Sequence, residues 1–364
     1  MANETKNEYK PSTISKPGLT ILDLLEEKGW TQTNLAHRMG RPINKINEII
    51  KGKISITPET AIQLERVLGV PSSFWNNRQK RYDEFWAYEK EKEKLSKHID
   101  WLKKFPINEI IKLKWIEKKK NDVEQLSELL NFFGISSPND WSKVWMSPNV
   151  SYKESCAFSI KPEANSVWLR KGELEAQNLS CTVFNRNQFI QALKSIRDLT
   201  TTEPEYFESI MVELCAKAGV ALIFIQRLKG LPVYGITKWI NPKKAMIQLS
   251  LYRKYEDYFW FTFFHEASHI ILHGKKDVFI ENDVSTNINI KEKEANNFAR
   301  DFLVPKSEWE KFADTNTEFN DQTIIGFAHK VNISPSIIVG RLQREKLLGY
   351  NQLNHLRMKV DFID

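Results

Sequence analysis

The sequence predicts an α+β protein, all-helical at the front and mixed at the rear. Three observations carry this. Residues 19–80 are a string of apolar-periodic segments, each closed by glycine. "VALIFI" at 220–225 and "AMIQLSL" at 245–251 read as short buried strands. Two strongly patterned helices follow, around "HEASH" and "EKEANNFARDFL".

A length of 364 residues fits two or three domains, and 41% hydrophobic residues are enough to fill cores and argue against a mainly disordered chain. No run of about 20 uncharged apolar residues exists, so no membrane-spanning helix is expected. The polar opening "MANETKNEYKPSTISKPG" does not read as a secretory signal. Cys156, Cys181 and Cys215 show no CxxC pairing and read as buried thiols of a reduced, cytoplasmic protein. Charge is uneven. Residues 1–120 hold 24 Lys/Arg against 16 Asp/Glu, while residues 121–364 hold 29 against 30. The basic excess of the front third points to a polyanionic partner, or to a solvated Lys-rich face.

The elements follow in order. "LTILDLLEEKG" places Leu19, Ile21, Leu22 and Leu25 on one helical face and stops at Gly29. "TQTNLAHRMG" has Thr31 as N-cap, Leu35, Ala36 and Met39 inward, and Gly40 as its stop. "RPINKINEIIKG" starts at Pro42 and turns Ile43, Ile46, Ile49 and Ile50 inward. Its outer positions are Asn44, Lys45, Asn47, Glu48 and Lys51. "TPETAIQLERVLG" is capped by Thr57 with Pro58 in first position. Two short helices around a glycine turn, the second bearing amides and amines outward, form a helix-turn-helix pattern. Asn can read adenine edges, and Lys can reach phosphate or guanine. Lys51 and Lys53 are candidate phosphate contacts. A helical bundle used only for dimerisation is the plain alternative.

Residues 16–80 resemble the XRE/Cro-type helix-turn-helix family, and antitoxins of the HigA type in particular, through "TQTNLAHRMG" and "INKINEIIKGKISITPETAIQLERVLGV". The resemblance implies a double-stranded DNA operator and a homodimer. It places Thr31 and Gln32 at a phosphate and Asn44, Lys45 and Asn47 in the major groove.

"RYDEFWAYEKEKEKLSKHIDWLKKF" begins a charged middle region that reads as an exposed linking helix. Trp86, Trp101 and Trp115 are expected to pack such helices together, and "FFGISSPNDW" marks a loop before "SYKESCAFS". The expected organisation is a disordered tail at 1–15, a DNA-binding domain at 16–80, a helical linker at 81–145 and a rear domain at 146–364.

"HEASH" is HExxH. Residues i and i+4 share a helix face, so His265 and His269 converge with Glu266 beside them. Two imidazoles and a neighbouring carboxylate match a peptidase-type zinc site, with Glu266 as general base and one zinc ion per chain. A third ligand must come from downstream. On the helix "INIKEKEANNFARDFLVP", at 100° per residue, Glu292 falls about 50° from the centre of the apolar stripe. Glu294 falls more than 100° away, toward solvent. Glu292 is therefore the expected ligand, with Asn296 supporting it from one turn on. Glu281 and Asp301 are further candidates.

"HEASHIILHG" and "EKEANNFARDFLVP", with "GITKW", "IQLSLYRKYEDYFWFTFFHE" and "ISPSIIVGRLQ", make residues 150–345 similar to the ImmA/IrrE metallopeptidases. The resemblance implies a zincin-like α+β domain of gluzincin type, with His265, His269 and Glu292 as ligands and Glu266 as base. Relatives often carry a second His after "LH" where this chain has Gly274. His273 is then expected either to stand behind the metal ligands, as Asn296 does, or simply to pack or cap the helix end. Two functions are open. One is a DNA-bound zinc endopeptidase that cleaves a regulator or partner, with co-encoded proteins as the candidates. The other is a non-catalytic antitoxin-like repressor whose zinc-containing domain senses a ligand or holds a toxin.

Overall fold

The computed structural model describes residues 13–145, 161–202, 204–250, 255–273, 279–282, 290–316 and 318–360, without the side chains of 204–206 and 279–282. Residues 1–12, "SYKESCAFS", Cys156 and Gly274 lie outside the described residues. The chain divides into two compact units. One comprises residues 1–99 with 122–124, the other 100–121 with 125–364.

In the first unit, α1 (Pro17–Glu27), α2 (Gln32–Met39), α3 (Ile43–Ile50) and α4 (Pro58–Leu68) enclose a core of Ile21, Leu25, Leu35, Ile46, Ile49, Leu64 and Trp75. Local chemistry sets the boundaries. Thr31 and Asn34 form a reciprocal capping box at the start of α2. Gly40, at φ 62°, ends α2 in the left-handed conformation that a side chain would disfavour. Thr57 caps α4, and Gln79 Oε1 accepts the Ile56 N–H at 3.0 Å, closing the bundle onto α5 (Ser72–Ser96). Leu19 and Ile43, expected inward, are 46% and 40% exposed. Both stand near a helix start, where fewer neighbouring turns cover a side chain. Position 80 falls inside α5. Trp86, expected to pack helices together, is 53% exposed, and its ring contacts among the described residues are Tyr82 and Phe85 of its own helix.

The region after α5 breaks into α6 (Ile99–Leu102), α7 (Ile107–Lys112), α8 (Asp122–Phe133) and α9 (Pro138–Trp145). There Trp101 does join helices, meeting Phe105 and Trp141 edge-on. The second unit continues with α10 (Pro162–Asn178), α11 (Arg186–Asp198), α12 (Pro204–Lys217), β1 (Val220–Phe224), β2 (Val233–Asn241), β3 (Lys244–Leu249), α13 (Glu256–Leu272), β4 (Phe279–Asn282), α14 (Ile290–Leu303), α15 (Lys306–Thr315), α16 (Asp321–Val331) and α17 (Pro335–Arg344). Strand order is β1-β3-β2-β4, parallel between β1 and β3 and antiparallel elsewhere. Both expected strands form, as β1 and β3, and β2 and β4 join them, so the mixed α+β class holds.

The core is continuous around α13. Its Phe259, Trp260, Phe263, Phe264 and Ala267 pack with Val220, Leu222, Ile247, Ala299, Leu303 and Ile338. Its first turn is fastened to the end of the chain. Glu256 N–H donates to Met358 O, and Arg357 grips Asp257, with Nη2 donating to both carboxylate oxygens at 2.8 and 2.9 Å and Nε donating to Oδ1 at 3.1 Å. Cys215 is buried, which pushes its thiol pKa up, and Cys181 is half-buried; both are free thiols. No helix among the described residues is long and apolar enough to cross a membrane.

Candidate metal centre and nucleic-acid interface

α13 is covered on nearly every side, so its polar groups must find partners inside the protein. His265 and His269 are each 1% exposed and lie one turn apart, with their Nε2 atoms 3.1 Å from each other. Glu292, in the first turn of α14, brings Oε2 to 3.2 Å from His265 Nε2 and Oε1 to 3.7 Å from His269 Nε2. Among the described residues these three side chains form a group whose donor atoms all lie within 4.8 Å of one another. Two ring nitrogens and one carboxylate, all aimed at one point, fit a zinc ion with one position left over. Asp301 is exposed on α14 and outside the group. Glu281 pairs through its backbone with Gly235, and its side chain is among those not described.

The outer contacts set the ring orientations. His265 Nδ1 meets Asn296 Oδ1 at 3.2 Å, so Nδ1–H donates outward and Nε2 keeps its lone pair for the centre. This corrects the expectation for Asn296: one helical turn from Glu292, it reaches the facing helix and holds His265 instead. His269 Nδ1 lies 2.9 Å from His273 Nδ1, and His273 Nε2 lies 3.1 Å from Glu294 Oε2. His273 thus does more than end the helix. It links His269 to Glu294, which is half-exposed on α14 as its helical phase requires. Burial first, then the neighbouring His265 and His273, hold the His269 pKa well below the usual imidazole value. The ring is therefore neutral, the form that can ligate a metal.

Glu266 is fully buried and leaves the helix toward β2. Thr237 Oγ1 lies 2.7 Å from Glu266 Oε2 and 2.8 Å from its carbonyl oxygen. Two residues earlier, Gly235 passes so close that a Cβ there would sit 2.8 Å from Glu266 Cγ. Sequence reasoning missed both residues. The available signal was a glycine inside a strand, which marks a close approach, two positions before a threonine on the same face.

In the first unit, Asn44 is exposed and Asn47 partly exposed on the outer face of α3. Lys45 is exposed and bound to Glu48 at 2.8 Å, a pairing that a phosphate can displace. Lys51 and Lys53 are exposed just beyond α3. Thr31 is exposed, with its hydroxyl engaged in the capping box, and Gln32 is half-buried beside it at the α2 N-terminus. The five positions from 44 to 53 lie along one helix and its exit, as a groove-reading element requires.

The family described as Helix-turn-helix matches residues 21–75. The family described as IrrE N-terminal-like domain matches residues 236–343, which include every member of the metal group. Among solved structures, the chain is 32% identical to a putative antidote protein of a plasmid maintenance system from Nostoc punctiforme, covering 23% of this chain and 92% of that one, with a TM-score of 0.23. It is 31% identical to an addiction module antidote protein of a HigA family from Coxiella burnetii, covering 23% of this chain and 91% of that one, with a TM-score of 0.21. No curated protein matches.

Proposed function

We propose that this chain, whose residues 21–75 match the helix-turn-helix family and whose residues 236–343 match the IrrE N-terminal-like family, is a DNA-bound zinc endopeptidase that cleaves a partner regulator protein. The carrying observation is the convergence of His265, His269 and Glu292 with Glu266 buried beside them. His265 and His269 offer Nε2, and Glu292 offers a carboxylate oxygen. Asn296 and His273 hold the two rings in the tautomer that leaves those nitrogens open. Bound there, zinc supplies a Lewis acid that brings the ionisation of water down to about pH 7. Glu266 accepts the proton that water gives up and delivers it to the leaving amine. Thr237 fixes one oxygen of that carboxylate, and Gly235 leaves room for it. The apolar walls of α13 exclude bulk water, which strengthens each charge interaction inside.

In the DNA-binding domain, Asn44, Lys45 and Asn47 read base edges, and Thr31, Gln32, Lys51 and Lys53 contact the backbone. Operator binding takes place as a homodimer on two half-sites.

The test is zinc content followed by incubation with co-encoded proteins. Wild type should hold about one zinc per chain and cleave a co-encoded partner. Glu266→Gln should keep the metal and the DNA binding and lose cleavage. If wild type cleaves no co-encoded protein under any inducing condition and Glu266→Gln regulates normally, the chain is a zinc-stabilised repressor instead.

A further inference from the structure

Beside the metal group, a cleft of about 820 Å3 runs along the groove between α13 and α14, with α17 as its far wall. Asn296, which holds His265, and Thr262, one turn before Glu266, both line it, so it lies next to the centre. Its charge is unbalanced. Lys293, Arg300, Arg341 and Arg344 line it against only Asp257 and Glu345. Both acids are already matched, Asp257 by the Arg357 fork and Glu345 by Arg341 at 2.9 Å. Lys293, Arg300 and Arg344 have no carboxylate partner among the described residues. Arg300 bonds the Asn297 amide, and Arg344 lies 4.3 Å over the Phe261 ring. Since residues 121–364 carry 29 basic and 30 acidic side chains, this excess is local rather than a property of the whole surface.

We infer that this cleft is a substrate subsite that selects acidic side chains near the bond to be cut, an inference that rests on the peptidase reading. Arginine matches a carboxylate with two parallel N–H groups, and a guanidinium held over an aromatic face can still offer its edge for that contact. Helix geometry gives the reach. Phe261 is one turn, about 6 Å, from His265, and Arg300 is eight residues, about 12 Å, along α14 from Glu292. An extended peptide advances about 3.3–3.6 Å per residue. The selected acid therefore lies about two to four residues from the scissile bond.

The test is binding, read by fluorescence anisotropy on the full-length, zinc-loaded Glu266→Gln variant. The probes are labelled ten-residue peptides that differ only in one pair of side chains, Glu-Glu, Gln-Gln or Lys-Lys. The Glu peptide should bind at least about tenfold tighter than the Lys peptide, with Gln between them, because the cleft attracts one sign and repels the other. Arg300→Glu with Arg344→Glu should reverse that order. If the reversal variant fails to melt cooperatively, Arg300→Gln with Arg344→Gln should abolish the preference. Equal affinities, no binding of any peptide, or a preference that survives these substitutions overturns the subsite. Wild type incubated with the same peptides and with co-encoded proteins reports on the peptidase reading separately. Cleavage without acidic preference leaves the peptidase standing and removes the subsite. Acidic preference without any cleavage does the reverse.

Discussion

Single side chains divide the candidate centre into those that would hold metal and those that would aim the holders. Glu292→Ala should strip zinc, whereas His273→Ala should weaken binding by about 10–100-fold, the usual scale for a partner behind a ligand. Glu294→Ala, acting only through His273, should cost less than either. Zinc titration against a competing chelator orders the three, and a Glu294 effect exceeding that of Glu292 would refute the ligand assignment. Glu266→Gln should leave zinc and melting temperature in place while peptide hydrolysis falls by about 10²-fold or more. The phase of Glu292 was legible in the sequence because an apolar stripe fixes which face of a helix turns inward. The partners of Asn296 and His273 were not, because each is a side chain of the facing helix, 31 and 21 residues away.

Among the elements, α1 to α4, α13 and α14 were legible through their caps and periodicity, and β1 and β3 through unbroken apolar runs. β2 escaped as a strand because Gly235, Thr237 and Lys238 interrupt its pattern, although the same glycine and threonine give it its role against Glu266. Gly235→Ala should force a methyl against that carboxylate. The strain should cost about 1–3 kcal/mol and lower turnover more than zinc affinity, measurable as a fall in kcat at constant metal content. In the first unit, Lys51→Ala should weaken binding to all DNA sequences alike and reduce the salt slope of affinity by about one. Asn47→Ala should instead lose discrimination of about 1–3 kcal/mol between operator and mismatched sites. Equal losses from both variants across all sequences would mean that α3 does not read bases.

Over the whole molecule, charge and composition indicated two differently charged parts, but not how the second part secures its central helix. Arg357 and Asp257 are each almost fully buried, so Arg357→Ala takes the ion-pair partner from a buried carboxylate and should destabilise the fold by about 3–5 kcal/mol. Next to it, burial holds the Glu256 carboxyl above its ordinary 4.5, against the lowering effect of bonds from Ser334 and Trp260. A raised carboxyl favours the fold below pH 4.5, and that contribution is lost as pH climbs through the raised value. Glu256→Gln should therefore gain on wild type in melting temperature as pH rises from about 4 toward neutral; a constant difference would contradict the burial argument. The clamp between Asp257 and Arg357 joins positions 100 residues apart, and Arg197 reaches Val331 across 134. Among the described residues of the first unit, the hydrogen bond from Arg78 to Ser15 spans 63. During synthesis, then, the DNA-binding segment can fold while the ribosome is still translating the rear. The HExxH helix must wait until residues 357 and 358 have been made. Nascent chains stalled near residue 345 should already protect residues 17–96 from protease while leaving 256–345 open to digestion.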